Sequence, residues 1–262
     1  MIPPAPDDQD FPWWLLLVAA IGGYLFWEVL TNETYAKVLT TLSRGIQVTV
    51  FVALVSYVLA CLLGLGLALM ATSRRIVLRQ IARFYVEVMR GIPIIVLLLY
   101  VAFVVAPAMV IAVNFLIEPL GFEPIRSRDF SFLWRAIIAL TLAYASFLAE
   151  VFRAGLQSVD KGQIEAAEAL GLNGWQRFRH IVMPQALRTI LPPLGNDFVA
   201  MVKDSSLVSV LGVTDITQLG KVTAAGNFRY FETYNVVALL YLTMTIGLSI
   251  LLRNFERRMR QR

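Results

Sequence analysis

Residues 45–73 read G-I-Q-V-T-V-F-V-A-L-V-S-Y-V-L-A-C-L-L-G-L-G-L-A-L-M-A-T-S, with no charged side chain among them. A run of that length exceeds the ~18–20 apolar residues that carry a helix across the hydrocarbon core of a bilayer. Residues 91–117 and 233–252 are equally free of charge. Of the 262 residues, 58% are hydrophobic and 16% charged, against about 25% charged in a soluble domain. The sequence therefore predicts an all-α integral membrane protein.

Working outward from that run gives about six transmembrane helices. An N-terminal tail, 1–12, carries Asp7, Asp8 and Asp10 but no Lys or Arg, so the apolar run after it reads as a retained helix and not as a cleaved leader. Helix one covers 13–30, with Trp13, Trp14 and Trp27 near its ends, where the membrane interface favours them. A polar link to residue 44 leads into helix two, 45–71, whose Gly64, Gly66 and Ala68 offer a smooth face for close packing. A basic loop (Arg74, Arg75, Arg79, Arg83) precedes helix three, which runs from Phe84 to Ile117 and is disturbed by Pro93 and Pro107. Residues 118–131 form a loop, helix four spans 132–152, and helix six spans 230–252 before an arginine-rich tail, 253–262. Helix five, 189–213, is the polar one. It holds Pro192, Pro193, Asn196, Asp197, Lys203 and Asp204, and such groups at membrane depth must face protein or water.

Lys and Arg number fifteen on the side of the 72–90 segment, the 153–188 segment and the tail, and eight on the other. The positive-inside rule puts the 153–188 segment and the C-terminus in the cytoplasm. The net charge of +5 is thus spent on orientation, with no basic, aromatic-interleaved patch for nucleic acid. The lone Cys61 lies in an apolar run and reads as a packing residue.

Between helices four and five lies Asp160–Pro184, D-K-G-Q-I-E-A-A-E-A-L-G-L-N-G-W-Q-R-F-R-H-I-V-M-P. It is too charged for lipid and carries two sets of cap signals. Asp160 with Gln163 opens a first short helix, Gly171 closes it in a left-handed cap, and Asn173 with Gln176 opens a second that Pro184 ends. Two short capped helices on a membrane protein read as a docking element for a soluble partner. No G-x-x-x-x-G-K-[ST] loop is present, and one His (His180) with one Cys makes neither a metal cluster nor a nucleophile pair. The chain reads as a non-enzyme, with no catalytic or metal-ligating set and no cofactor of its own.

Glu165-Ala166-Ala167, three residues, Gly171, nine residues, then Ile181-Val182-Met183-Pro184 resembles the E-A-A-x3-G-x9-I-x-L-P pattern of bacterial ABC importer permeases, Met183 replacing Leu. The resemblance extends from about Gly45 to the end of the chain. It is to the polar amino acid branch (histidine, arginine, glutamine and glutamate), through Met89-Arg90-Gly91-Ile92-Pro93, Ala149-Glu150-Val151-Phe152-Arg153-Ala154-Gly155 and Lys203-Asp204-Ser205-Ser206-Leu207-Val208-Ser209. It implies a transmembrane domain over 45–252 with a coupling loop at 155–188, and an added N-terminal helix and link at 13–44. It further implies an inner-membrane permease that pairs with a second permease chain, identical or homologous. Two ATPase subunits, carrying ATP and Mg, would dock on the coupling loop, and an extracytoplasmic binding protein would deliver the amino acid. Glu165, Ala166, Ala167 and Gly171 would then couple to the ATPase.

Glu150 and Arg153, spaced i,i+3, either pair on their own helix or anchor the loop. Asn196, Asp197, Lys203, Asp204 and Ser205 are candidates for the substrate path, since a free amino acid needs both a donor and an acceptor; the same groups otherwise serve helix packing or an outer gate. The other readings are a permease for a different small solute, and a gradient-driven carrier or channel, which would show internal repeats and have no use for a docking loop.

Overall fold

The computed structural model describes residues 13–260, and the expectations for the N-terminal tail, 1–12, and for the last two residues of the basic tail fall outside it. Among the described residues the chain is helical throughout, without strands. α1 is Trp13–Thr31 and α2 is Glu33–Ala71. The expected polar link is therefore absent: only Asn32 separates the two helices, and residues 33–44 are the first turns of α2. Asn32 leaves the helical region (φ −107°, ψ 116°) and its side chain accepts from the Thr34 N–H at 2.9 Å. The polar groups beyond it are occupied on the outer face, Lys37 pairing with Glu33 at 3.1 Å and Thr40 donating to the Ala36 carbonyl. Tyr35, Val38 and Leu42 meanwhile turn inward. The polar composition hid an amphipathic stripe.

The basic loop is also shorter than expected. α3 begins at Ile76 and ends at Gly91, so Arg79 and Arg83 are helical. Pro93 forces the residue before it, Ile92, into an extended conformation (φ −97°, ψ 128°). The chain then resumes as α4, Ile94–Tyr100, a wide π turn over Val101–Val105, and α5, Ala106–Ile117. The π turn lies immediately before Ala106-Pro107, where the Ala106 N–H reaches back to the Val101 carbonyl. A proline ring would collide with the carbonyl four residues earlier, and widening the turn relieves that collision. The following loop is closed by the Asn114 side chain, which both donates to and accepts from the Ile125 backbone at 2.8 Å. α6 is Phe132–Gln157. Arg135, near its start, is buried and donates to the carbonyls of Phe130 (2.9 Å), Ala102 (2.7 Å) and Ser127, with its guanidinium over the Phe130 and Phe132 rings.

α2 and α6 form the centre of the bundle. Small residues let them approach: Gly64 meets Ala145, Leu148 and Ala149, and Ala53 and Ala60 are buried with Ala136, Ala139 and Ala143. Gly66 departs from the expected smooth face and points into open space. A second cluster joins Val29, Tyr35, Val38 and Leu42 to Ile216, Val236 and Val237.

The second half holds α7, Lys161–Ala169, α8, Gly174–Arg177, and a second π turn, Phe178–Val182. It continues through α9, Met183–Asp204, a 3-10 segment, Ser205–Leu211, then α10, Ile216–Asn227, and α11, Tyr230–Arg260. α10 was not expected. Asp215 caps it, accepting from the Gln218 N–H at 2.8 Å and from the Tyr241 hydroxyl at 3.1 Å. Burial holds the Asp215 carboxyl above its ordinary range, and these donors offset only part of that rise. α11 continues through the expected tail to Arg260. Four stretches (33–71, 94–120, 132–157 and 230–258) are long and apolar enough to cross a membrane, and Leu16–Thr31 is a shorter apolar helix. α9 is too polar to join them, yet it packs its Ile190, Met201 and Val202 face inward against the bundle.

Candidate functional site

α7 is held in place at both ends. Asp160 accepts from the Gly162 N–H at 2.7 Å. At the other end Gly171, at φ +77°, closes a Schellman turn: its N–H meets the Glu168 carbonyl at 2.9 Å, and the Leu172 N–H meets the Ala167 carbonyl at 3.1 Å. α8 opens with a full capping box, Asn173 and Gln176 each bonding the other's backbone N–H at 2.9 Å. Between the two helices Arg177 pairs with Glu168 at 2.7 Å, a contact the sequence reading missed.

Two expectations are corrected. Gln163 forms no box with Asp160; it accepts from the Gln185 amide at 2.6 Å and so ties α7 to α9. Pro184 does not end the second helix. It is preceded by the π turn, where the Met183 N–H reaches back to the Phe178 carbonyl, and the chain stays helical from Gly174 to Asp204. Wide turn and proline recur with the spacing seen at Pro107.

The surface left over is compact. Glu165 and Ala166 are exposed, and beside them stand Leu170 (82% exposed) and Trp175 (68%), the latter stacked on Phe178 at 5.9 Å. Ala167 is buried and offers no surface. Leu170 and Trp175 were not singled out in the sequence, although a large apolar residue on each side of a polar loop's turn is the signal that finds them. Glu150 and Arg153 pair with each other, and Arg153 also donates to Gln157 at 2.8 Å, so both stay on α6. The loop is anchored instead by Ser158 on Thr189 (3.2 Å) and by Gly155, which lies flush against Ile190.

The five polar candidates on α9 and beyond are split among three environments. Asn196 and Lys203, seven residues apart, are exposed on one face. Asp197 is partly buried, and Asp204 accepts from the Tyr144 hydroxyl at 2.7 Å. Ser205 is fully buried and donates to the Val202 carbonyl at 2.8 Å, which takes it out of any open path. An exposed Asn and Lys on a helix packed among membrane-crossing ones require water or another protein surface opposite them.

Residues 62–261 match the model of a family described as binding-protein-dependent transport system inner membrane component. The chain is 38% identical over 219 residues to the probable amino-acid permease protein YxeN of Bacillus subtilis (strain 168), covering 84% of this chain and 91% of that one. It is 33% identical to the glutamine transport system permease protein GlnP of Escherichia coli (strain K12), covering 84% and 93%. Among solved structures, an amino acid ABC transporter crystallised with histidines superposes with a TM-score of 0.70 at 33% identity, covering 87% of this chain and 97% of that one.

Proposed function

Because the chain belongs to the family of binding-protein-dependent transport system inner membrane components, a multi-pass membrane component of a transport system and not the site of catalysis, we propose that it is the permease subunit of an ATP-driven importer of polar amino acids. Relatives named as amino-acid and glutamine permeases support the substrate class. In this reading residues 45–252 are the transmembrane domain, 13–44 an added N-terminal element and 253–262 a basic tail. The loop and C-terminus face the cytoplasm. The chain works with a second permease, a pair of ATPase subunits that bind ATP and Mg, and an extracytoplasmic binding protein.

The observation that carries the coupling role is the rigid loop surface of Glu165, Ala166, Leu170 and Trp175. A partner that closes against a floppy loop moves only the loop. A partner that closes against two capped helices, one continuous with α9 and the other tied to it through Gln163 and Gln185, moves α9 and the helices packed on it. Gly171 sets the angle between the two short helices, and Asn196, Asp197, Lys203 and Asp204 supply polar groups toward the path.

ATP hydrolysis by the complex reconstituted in liposomes, with each polar amino acid offered alongside the cognate binding protein, tests this. Stimulation by one amino acid is expected. In Gly171→Asp, where a left-handed φ costs about 1 kcal/mol without glycine, the stimulation falls while the subunits still assemble; Gly171→Asn retains more of it. Uptake without any ATPase subunit replaces the reading with a gradient-driven carrier.

A further inference from the structure

α3 has three faces. Ala82 and Val86 are buried against the bundle, and Val77, Ile81, Phe84 and Val88 form an exposed apolar stripe suited to lipid. Gln80, Arg83, Glu87 and Arg90, at positions i, i+3, i+7 and i+10, form an exposed polar stripe beside it. The second half of this helix lies deep in the bundle: the Tyr85 hydroxyl donates at 2.9 Å to the carbonyl of Leu142, near the middle of α6. The Arg90 guanidinium, counted from the sequence with the cytoplasmic 72–90 segment, instead sits 5.6 Å from the centre of the Phe147 ring, five residues further along α6 than Leu142. Charges exposed at that depth cannot face hydrocarbon without large cost, so the stripe faces water or a polar ligand.

Phe147 is exposed enough to serve as a floor, and its ring meets that of Tyr144 edge-on at 6.1 Å. Tyr144 in turn carries Asp204. Arg90 therefore stands at the end of a contact chain that reaches one of the α9 candidates. Glu87 lies one turn before it, and among the described residues neither Glu87 nor Arg90 is in an ion pair; Arg90 is within electrostatic reach of Glu150, whose carboxylate is held by Arg153.

We propose that Arg90, seated on Phe147, binds the α-carboxylate of the transported amino acid, with Glu87 accepting from its ammonium. The inference rests on the amino acid reading above. A guanidinium offers a planar, two-pronged donor set matched to a carboxylate, and the ring beneath it fixes its plane. Glu87 and Arg90 at i,i+3 have Cβ atoms roughly 5–6 Å apart, a separation that places opposite charges on either side of a single zwitterion.

The test is equilibrium binding to the intact purified complex of histidine, arginine, glutamine and glutamate, and of the α-amide of each, which lacks the carboxylate. Wild type is expected to prefer one acid over its amide by about tenfold, the worth of one charge-assisted hydrogen-bonded contact. In Arg90→Gln the affinity for the acid drops to that for the amide, and Arg90→Lys recovers part of the difference. An Arg90→Gln complex that keeps the full preference overturns the proposal, as does one that weakens acid and amide equally, the mark of a purely structural residue. Wild type that binds none of the acids refutes the amino acid reading itself; wild type that binds one while Arg90→Gln keeps its preference refutes only the role of Arg90.

Discussion

Two glycines at helix contacts differ in what stands opposite them. A Cβ on Gly45 would lie 2.6–2.8 Å from backbone atoms of Asp215 and Ile216. Backbone at the capped start of α10 has no room to retreat. A Cβ on Gly155 would run into Cγ1 and Cδ1 of Ile190, a side chain that can be shortened. Gly45→Ala is therefore expected to destabilise the protein by ~1–3 kcal/mol whatever its partners, as overpacking does. Gly155→Ala costs a similar amount in the native chain, but in an Ile190→Ala background, itself destabilised by the buried methyl groups it loses, adding Gly155→Ala costs little more. Thermal unfolding of the single and double variants in detergent checks both statements; a Gly155→Ala defect that Ile190→Ala leaves unchanged excludes the steric account. Neither contact could be found from the sequence, because a glycine's neighbour across a helix interface is fixed by the crossing of the helices and not by spacing along the chain.

At the level of elements, what could be read in advance followed the scale of the signal. Uncharged runs of twenty residues or more stand out in composition alone, and α2, α4–α5 and α11 contain them, while α6 shows a shorter one between Arg135 and Glu150. Helices built from mixed residues did not stand out. Residues 33–44 and α3 carry their apolar side chains as stripes, and α10 buries only Ile216, Gly220 and Ala224, too small a set to register. Its cap was nevertheless written in the chain, Asp215 with Gln218 three residues on. The docking loop was the reverse case: its cap residues announced Gly171 and the Asn173–Gln176 box. The partner of Gln163 depended on α9 folding back beside α7, which no local pattern contains. Leu170 is exposed and Ala167 buried within one short helix and its cap, so charge placed at each should act differently. Leu170→Glu is expected to abolish co-purification of the ATPase while leaving the melting temperature unchanged, whereas Ala167→Glu lowers the melting temperature. Equal loss of stability in both would remove Leu170 from the docking surface.

For the whole molecule, α1 is a peripheral addition. Among its described side chains only Val29 is buried, against Tyr35 and Val38, while Leu16, Leu17, Ile21, Tyr24, Phe26, Trp27 and Leu30 remain exposed. It packs on the first turns of α2 and on α11, away from the Gly64 contact between α2 and α6. A chain starting after residue 31 should therefore fold, lose about 1–2 kcal/mol for the one uncovered aliphatic side chain, and keep its ATPase partner. Unfolding curves and co-purification of the shortened chain measure this, and a collapse of the bundle would make α1 an integral part of the fold.

The unbroken helix from Glu33 to Ala71 has 39 residues, which at ~1.5 Å each makes a rod of about 58 Å, nearly twice the hydrocarbon thickness. Such a rod is a stiff lever arm. A tilt of about 10° at its Ala71 end sweeps the far end through roughly 10 Å. Gly45, its backbone pressed against the start of α10, then acts as the bearing through which that sweep drives α10 aside. A helix that tilts as one body would carry motion from one membrane face to the other without any segment between them having to unfold.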